Sequence, residues 1–338
     1  MTHEFKHIIN DAIKAKTKGV TCILASVVDL DGSSYRRPGV RMLILENGEI
    51  IGAVSGGCVE KEVVLQAQSV FTTGQSKMMT YDGRYRLGCE GILYILLEAI
   101  TFEKEFEVAF FKCLNDRQTF EVVSKYQKSE GIFKGIGSTV NIGNSSFALS
   151  NNSSEKKRLF TFHQNMLPCF KLIIIGAEHD AVQLCKYAVL TGWEVTIVAG
   201  VSEDKTVEYF EGAQNLITTT PEEFDISSVD MQTAVVLMTH NFAYDLRYLV
   251  ALHKANPNYI GLLGPTKRRE DLLTQCIEYC PDISDEFLET IHGPAGLDIG
   301  SETPQEIAIS IVSEILAVTR KRNSKSLRLK SGHIHQKQ

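Results

Sequence analysis

No run of eighteen or more apolar residues occurs in this 338-residue chain, so no membrane-spanning helix is expected. There is no Cys-x-x-Cys pair. The eight cysteines, at 22, 58, 89, 113, 169, 185, 276 and 280, stand apart, a pattern that fits neither a zinc ribbon nor a disulfide framework. Charge is unevenly spread along the chain. Residues 320–338 hold seven Lys/Arg and no acid, and removing those seven from the formal charge of −6 leaves −13 for the remainder. A body that acidic is a poor nucleic-acid binder. The opening stretch MTHEFKHIINDAIKAKTKG lacks the apolar centre of a secretion signal and reads as an amphipathic helix, so a cytoplasmic location is expected.

What is present is the composition of a folded protein, 43% hydrophobic and 22% charged, with enough length for two domains. The most informative stretch runs from Ser26 to Glu62. It opens with a small, polar, basic loop, Gly32-Ser33-Ser34-Tyr35-Arg36-Arg37-Pro38-Gly39. Arg41 to Val54 then reads as a β-hairpin, because Asn47-Gly48 lies between two apolar runs. Ser55-Gly56-Gly57-Cys58 follows and leads into a helix. A Gly-Gly turn at a helix start exposes backbone N–H groups under a positive helix dipole, and a thiol placed there has a lowered pKa. Arg36, Arg37 and Arg41 would suit an oxyanion. The plain alternative is a solvated loop and a packed cysteine. Leu87-Gly88-Cys89-Glu90-Gly91 places a second thiol between glycines, just before the apolar run Ile92 to Leu97.

Residues 143–158, rich in Asn, Ser and charge, read as a connection. The expected division is a first domain over 1–143, a linker over 144–165, a Rossmann-like domain over 166–322 and a basic tail over 323–338. The second domain opens with the apolar run Lys171 to Ile175, the turn Gly176-Ala177-Glu178-His179 and a helix, then the run Trp193 to Val198. This is a βαβ pattern and predicts a doubly wound parallel sheet. The dinucleotide fingerprint is broken, however. Glu178 stands where a glycine should meet the pyrophosphate, and Ala199-Gly200 stands where an acid should hold the ribose, so NAD is disfavoured. His240, with Asp245 five residues on, follows a predicted strand over 234–238. Asp298 lies in the glycine-rich loop His292 to Ser301. Thr303-Pro304-Gln305-Glu306 is a helix start with a capping box.

Taken in order, these stretches resemble the xanthine dehydrogenase accessory factor family, XdhC/CoxI. The family's GSSPRRPGARM-like loop, SGGC and LGCGG correspond to Gly32 to Met42, Ser55 to Cys58 and Leu87 to Gly91. Its GAGH, THD, YIGALGSR and GLDIGAxTPEEIA correspond to Gly176 to His179, Thr239 to Asn241, Tyr259 to Thr266 and Gly296 to Ala308. Departures are Tyr35 for proline, Glu90 and Glu178 for glycines, Asn241 for aspartate and Pro265-Thr266 for Ser-Arg. The resemblance implies an α/β protein of two domains, an N-terminal XdhC/CoxI-type domain and a C-terminal Rossmann-like one. It also implies a non-enzymatic chaperone that transiently binds molybdenum cofactor (molybdopterin), supports its sulfuration by a cysteine desulfurase and delivers it to a xanthine dehydrogenase-type apoenzyme. A homodimer is expected.

The implied cofactor-binding residues are Ser33, Ser34, Arg36, Arg37, Arg41, Ser55, Gly56, Gly57, Cys58, Cys89, His179, His240 and Asp298, with Cys58 and Cys89 the candidates for contacting molybdenum or handling sulfur. Two catalytic alternatives stand beside this. One is an NAD(P)-dependent oxidoreductase on the second domain. The other is a metal-dependent hydrolase using His179, His240, Asp245 and His292. The chain has neither the iron–sulfur cysteine patterns nor the length of a molybdenum hydroxylase.

Overall fold

The computed structural model describes residues 1–32, 34, 37–85, 91–151 and 158–329, without the side chains of Cys58 and Tyr85. The chain divides into two units, Met1–Pro168 and Cys169–Gln338.

In the first unit, apolar spacing at i, i+3, i+4 and i+7 makes Thr2–Thr17 a helix (α1) that buries Phe5, Ile8, Ile9 and Ala12. The run Cys22–Asp31 is strand β1, Arg41–Leu45 is β2 and Ile50–Gly52 is β3. The Asn47-Gly48 turn joins β2 to β3 antiparallel. Helix α2 spans Cys58–Thr73, β4 Lys77–Asp82, β5 Ile92–Ala99, α3 Lys104–Asn115 and β6 Phe120–Tyr126. Strands β7 Gly131–Ile132, β8 Gly137–Ile142, β9 Ser145–Ala148 and β10 Phe160–Met166 complete the unit. The main sheet has the order β3-β2-β1-β5-β4-β7 and the smaller one β10-β6-β8-β9.

Alternation along β1 assigns its two faces. Ile23, Ala25 and Val27 pack under Val59, Val63 and Val70 of α2. Cys22 and Leu24 pack with α1, α3 and the smaller sheet. On that second side Phe5, Phe110 and Phe120 meet edge to face, Phe5–Phe110 at 5.7 Å and Phe110–Phe120 at 5.5 Å. Residues 145–148 and 160–165, expected within a linker, belong to strands of the smaller sheet. Their polar sequence misleads because β9 is an outer strand with mostly exposed side chains.

The second unit is the expected parallel sheet. Its strands are β11 Lys171–Ile175, β12 Glu194–Ala199, β13 Asn215–Thr218, β14 Thr233–Leu237, β15 Tyr259–Leu262 and β16 Ile291–His292. Its helices are α4 His179–Leu190, α5 Phe242–Leu252, α6 Thr266–Tyr279, α7 Asp285–Glu289 and α8 Pro304–Thr319. The order β13-β12-β11-β14-β15-β16 is 3-2-1-4-5-6 in strands of this unit, the doubly wound arrangement whose order reverses beside the first strand. Leu172 and Ile174 face α4 and α8, while Ile173 and Ile175 face α5 and α6. Both faces are covered, so the strands read as unbroken apolar runs. The capping box at α8 is present: Thr303 N–H donates to Glu306 at 2.9 Å and Glu306 N–H to Thr303 Oγ1 at 3.4 Å.

Cys276 and Cys280 are buried packing residues. The basic tail reaches a short helical turn at Leu327–Leu329, and residues 330–338 lie outside the described residues. No helix among the described residues is long and apolar enough to cross a membrane.

Candidate functional site

Strand register brings three motif-bearing loops to one end of the main sheet. Asp31, at the end of β1, lies opposite Ile92, the start of β5. Asp82, at the end of β4, also lies opposite Ile92. Arg41, at the start of β2, pairs with Ser26 of β1, and Gly52, at the end of β3, pairs with Met42. The loop 32–40, the turn 53–57 and the connection 83–91 therefore all leave the sheet on the same side. Ser33, Arg36 and Cys89 lie outside the described residues, as does the Cys58 side chain, and with them the meeting of the two thiols. Ser34 and Arg37 are half-buried, and Ser55 is half-buried beside exposed Gly56 and Gly57.

The backbone around Gly57 explains the glycines. Gly57 has φ 126° and caps α2, whose first residue is Cys58. A Cβ on Gly56 or Gly57 would meet nothing within 4 Å, so the turn is open above both. Conformation requires a glycine at 57, whereas space does not. Glu60, at the third helical position, holds the turn: its carboxylate accepts Ser55 N–H at 2.7 Å and Gly57 N–H at 2.6 Å. Two amides expected to meet an external anion thus already meet an internal one. Glu60 is missing from the sequence-derived set, although its signal is there, as a glutamate three residues past the cap.

Arg41 needs a correction. It was expected beside the ligand, but it is buried on the inner face of β2. Its Nη1 donates to Gly39 O at 3.0 Å and Gln164 Oε1 at 2.6 Å, and its guanidinium lies 5.1 Å above the Phe5 ring. Nε and Nη2 are buried with no hydrogen-bond partner among the described residues. Burial pushes its pKa down to about 10, opposed by Glu98. Arg41 braces the loop from beneath. The fit is close, since a Cβ on Gly39 would stand 2.4 Å from Gln164 Nε2.

A second brace was not legible at all. Lys128 Nζ reaches Asp29 and Asp31 at 2.9 Å each. Tyr126 OH donates to Asp29 at 2.6 Å and Tyr94 OH to Asp31 at 2.8 Å. These groups fasten the end of β1, just before the loop, to β6. Burial would raise the Asp29 pKa, but the Tyr126 and Lys128 hydrogen bonds outweigh it and the net shift is downward. A depressed carboxylate stabilises the fold above its unfolded pKa, about 3.9, and that stability is lost as pH falls through the folded value. Tyr126→Phe is expected to cost about 1.5 kcal/mol at neutral pH, the scale of a hydrogen bond to a charged group. The gap from wild type should narrow below about pH 4, and urea denaturation at several pH values checks it.

In the second unit, His179 opens α4 and is exposed. His240 has φ 55° and its Nε2 lies 3.9 Å from Asp180. A left-handed non-glycine residue at a strand end is the kind of strain found at functional sites. Asp298 is exposed on the separate loop before α8. The four-residue metal set is not brought together. Asp245 is buried against Thr239 at 2.6 Å and Arg268 at 2.7 Å. His292 stacks on Tyr259 with ring centres 4.7 Å apart and faces Glu314 at 3.5 Å. Beside the strand-order reversal, a cleft of about 370 Å³ opens at the ends of β11, β12, β13 and β14.

Comparison with known proteins agrees with this architecture. The family model described as XdhC Rossmann domain matches residues 172–315, and that described as XdhC and CoxI family matches residues 15–82. A Bacillus subtilis protein, named as one of the subunits of a probable xanthine dehydrogenase, is 32% identical over 325 residues, covering 89% of this chain and 93% of the relative. The Escherichia coli protein named Molybdenum cofactor insertion chaperone PaoD is 23% identical, covering 94% of this chain and 90% of the relative. A crystal structure described as a xanthine dehydrogenase from Bacillus halodurans shares the fold, with a TM-score of 0.77 and 24% identity over 94% of this chain and 96% of that one. Two family models in their expected order, and a relative this similar over nearly its whole length, make the chain a member of the XdhC and CoxI family.

Proposed function

We propose that this protein is a molybdenum-cofactor chaperone: it binds the cofactor transiently as cargo, supports its sulfuration and delivers it to a xanthine dehydrogenase-type apoenzyme. The observation that carries the reading is that strand register puts the ends of β1, β3 and β4 and the starts of β2 and β5, which bear the loop 32–40, the turn 53–57 and the connection 83–91, at one end of the main sheet. The names of two relatives, one a molybdenum cofactor insertion chaperone and the other part of a probable xanthine dehydrogenase, support it.

The residues fit such a cargo in part. Arg37 and Ser34 offer charge and a hydroxyl for a phosphate. The turn at Gly56-Gly57 is open, and α2 begins there. Cys58 and Cys89 would supply soft sulfur ligands for molybdenum. Glu60 opposes binding, because an anion using the Ser55 and Gly57 amides must exchange with its carboxylate. A cysteine desulfurase as sulfur donor and a homodimer belong to the same proposal.

The test is retention of cofactor by the full chain under anaerobic, reducing conditions, read by pterin fluorescence and molybdenum content. Wild type is expected to retain it. Arg37→Ala should bind about tenfold more weakly, the loss of one charge-assisted hydrogen bond, and Cys58→Ala should lose molybdenum. Wild-type protein that retains neither pterin nor molybdenum would sink the reading.

A further inference from the structure

The cleft in the second unit combines two features that pull in different directions. Its position is where doubly wound sheets bind nucleotides, past the carboxyl ends of the strands at the order reversal. Its volume of about 370 Å³ is near the low end of small-molecule sites, which span roughly 300–1,000 Å³. That is room for one nucleoside-sized group.

The second strand of such a sheet ordinarily ends in an acid that accepts the ribose hydroxyls. Here β12 ends at Ala199 and the chain turns at Gly200, where Glu203 N–H donates to Gly200 O at 3.0 Å. That turn carries Glu203 into the lining of the cleft. Lys205 Nζ holds the carboxylate at 2.9 Å, and this pairing lowers its pKa so that it stays ionised. An acid thus lies in the ribose region although the strand end lacks one.

The phosphate region differs. Gly176 keeps the close approach to the sheet: φ is 137° and a Cβ would stand 2.4 Å from Met238 O. The next cleft-lining residue but one is Glu178, exposed, in extended backbone, capping α4 without a side-chain hydrogen bond. Its carboxylate sits at the helix start that would otherwise receive a pyrophosphate. Lys205 lies 3.9 Å from it. Two carboxylates and one ammonium leave the cleft net negative. Ser202, Thr219, Thr220, Thr239, Tyr244 and Tyr248 supply the remaining hydroxyls and rings.

We infer that this cleft binds an uncharged ribonucleoside, with Glu203 accepting its ribose hydroxyls and Glu178 excluding 5′-diphosphates and dinucleotides. The second unit alone carries this site, independently of the cofactor reading.

Isothermal titration of the full chain with adenosine, guanosine, cytidine and uridine, each against its 5′-diphosphate, and with NAD, tests it. At least one ribonucleoside should bind about tenfold or more tightly than its diphosphate and than NAD, and more tightly than its 2′,3′-dideoxy form. Glu178→Gln should raise diphosphate affinity about tenfold while leaving the nucleoside unchanged. Glu203→Gln should weaken the nucleoside about tenfold and erase its advantage over the dideoxy form. If Glu203→Gln lowers Tm, the dideoxy comparison on wild type decides alone. Diphosphate or NAD binding as tight as the nucleoside overturns the inference. So do equal affinities for ribo- and dideoxynucleoside, or no heat with any nucleoside at millimolar concentration.

Discussion

Replacing Gly176 with alanine is expected to destabilise the second unit by about 3–5 kcal/mol, combining left-handed backbone strain with overpacking. The reason is the neighbour. The new Cβ would stand 2.4 Å from Met238 O and 2.7 Å from Met238 C, and these are backbone atoms of the chain leaving β14. Neither can swing aside without shifting the sheet. Gly264 has a similar φ of 117°, but its Cβ would meet Arg268 Cδ at 2.7 Å, a side-chain atom with more give than backbone even though the guanidinium is held by Asp245. Gly264→Ala should therefore cost less, about 1–2 kcal/mol, mostly strain. Gly200 has nothing within 4 Å of a Cβ, so Gly200→Ala should stay within about 0.5 kcal/mol of wild type. Trp193 is the chain's single tryptophan. It is buried 4.9 Å from Phe170 within this unit, so its fluorescence during urea unfolding reports on the second unit. Equal midpoints for Gly176→Ala and Gly200→Ala would contradict the argument.

Arg41→Met is expected to cost the first unit about 3 kcal/mol, the low end for removing one member of a buried charged set. Methionine keeps most of the packing against Phe5 but removes the donor to Gly39 O and Gln164 Oε1. It also removes the positive charge that opposes the upward shift of Glu98. That carboxyl is fully buried, accepting Ser138 N–H and Ser150 Oγ at 2.8 Å each. Burial holds its pKa above the usual carboxylate value, partly offset by Ser138, Ser150 and Arg41. A group with a raised folded pKa contributes stability below its unfolded value, about 4.3, and loses it as pH rises through the folded value. Without Arg41 that folded value rises further. The deficit should be largest at neutral pH and shrink as pH falls towards 4, and Arg41→Met with Glu98→Gln should recover about 1–2 kcal/mol. Denaturation followed by far-UV circular dichroism across pH checks this. A fully stable Arg41→Met protein that no longer retains cofactor would return Arg41 to the ligand's side.

The second unit was legible because its signals are local. Runs such as Lys171 to Ile175 alternate with helices of 3.6 periodicity, and a sheet covered on both faces follows from them. The Asn47-Gly48 hairpin was legible for the same reason. Arg41 was misread because a motif states residue type and not burial. Met42 to Leu45 announces a strand, yet nothing local says that residue 41 faces inward beneath Gln164, 123 positions away. Lys128 binding Asp29 and Asp31, 97 or more positions distant, is invisible for the same reason. Glu203 was missed because it is reached by a turn and not by the strand register. Strands β9 and β10 were hidden by polar composition, which an outer strand shares with a loop.

The grip of Glu60 on the turn before α2 bears on how such a protein would let go of what it carries. A carrier differs from a storage protein in that tight holding is a fault. On the proposed function the chain would keep its own substitute at hand: were the cargo's anion to leave the Ser55 and Gly57 amides, the Glu60 carboxylate, three to five residues away, would take them. Neither donor need be stranded on the way out: the half-buried Ser55 amide would otherwise cost about 1 kcal/mol if left bare, while the exposed Gly57 amide can turn to water. The same exchange would subtract from affinity on the way in. Hand-over would then be close to thermoneutral at this turn, with the direction of travel set by the acceptor.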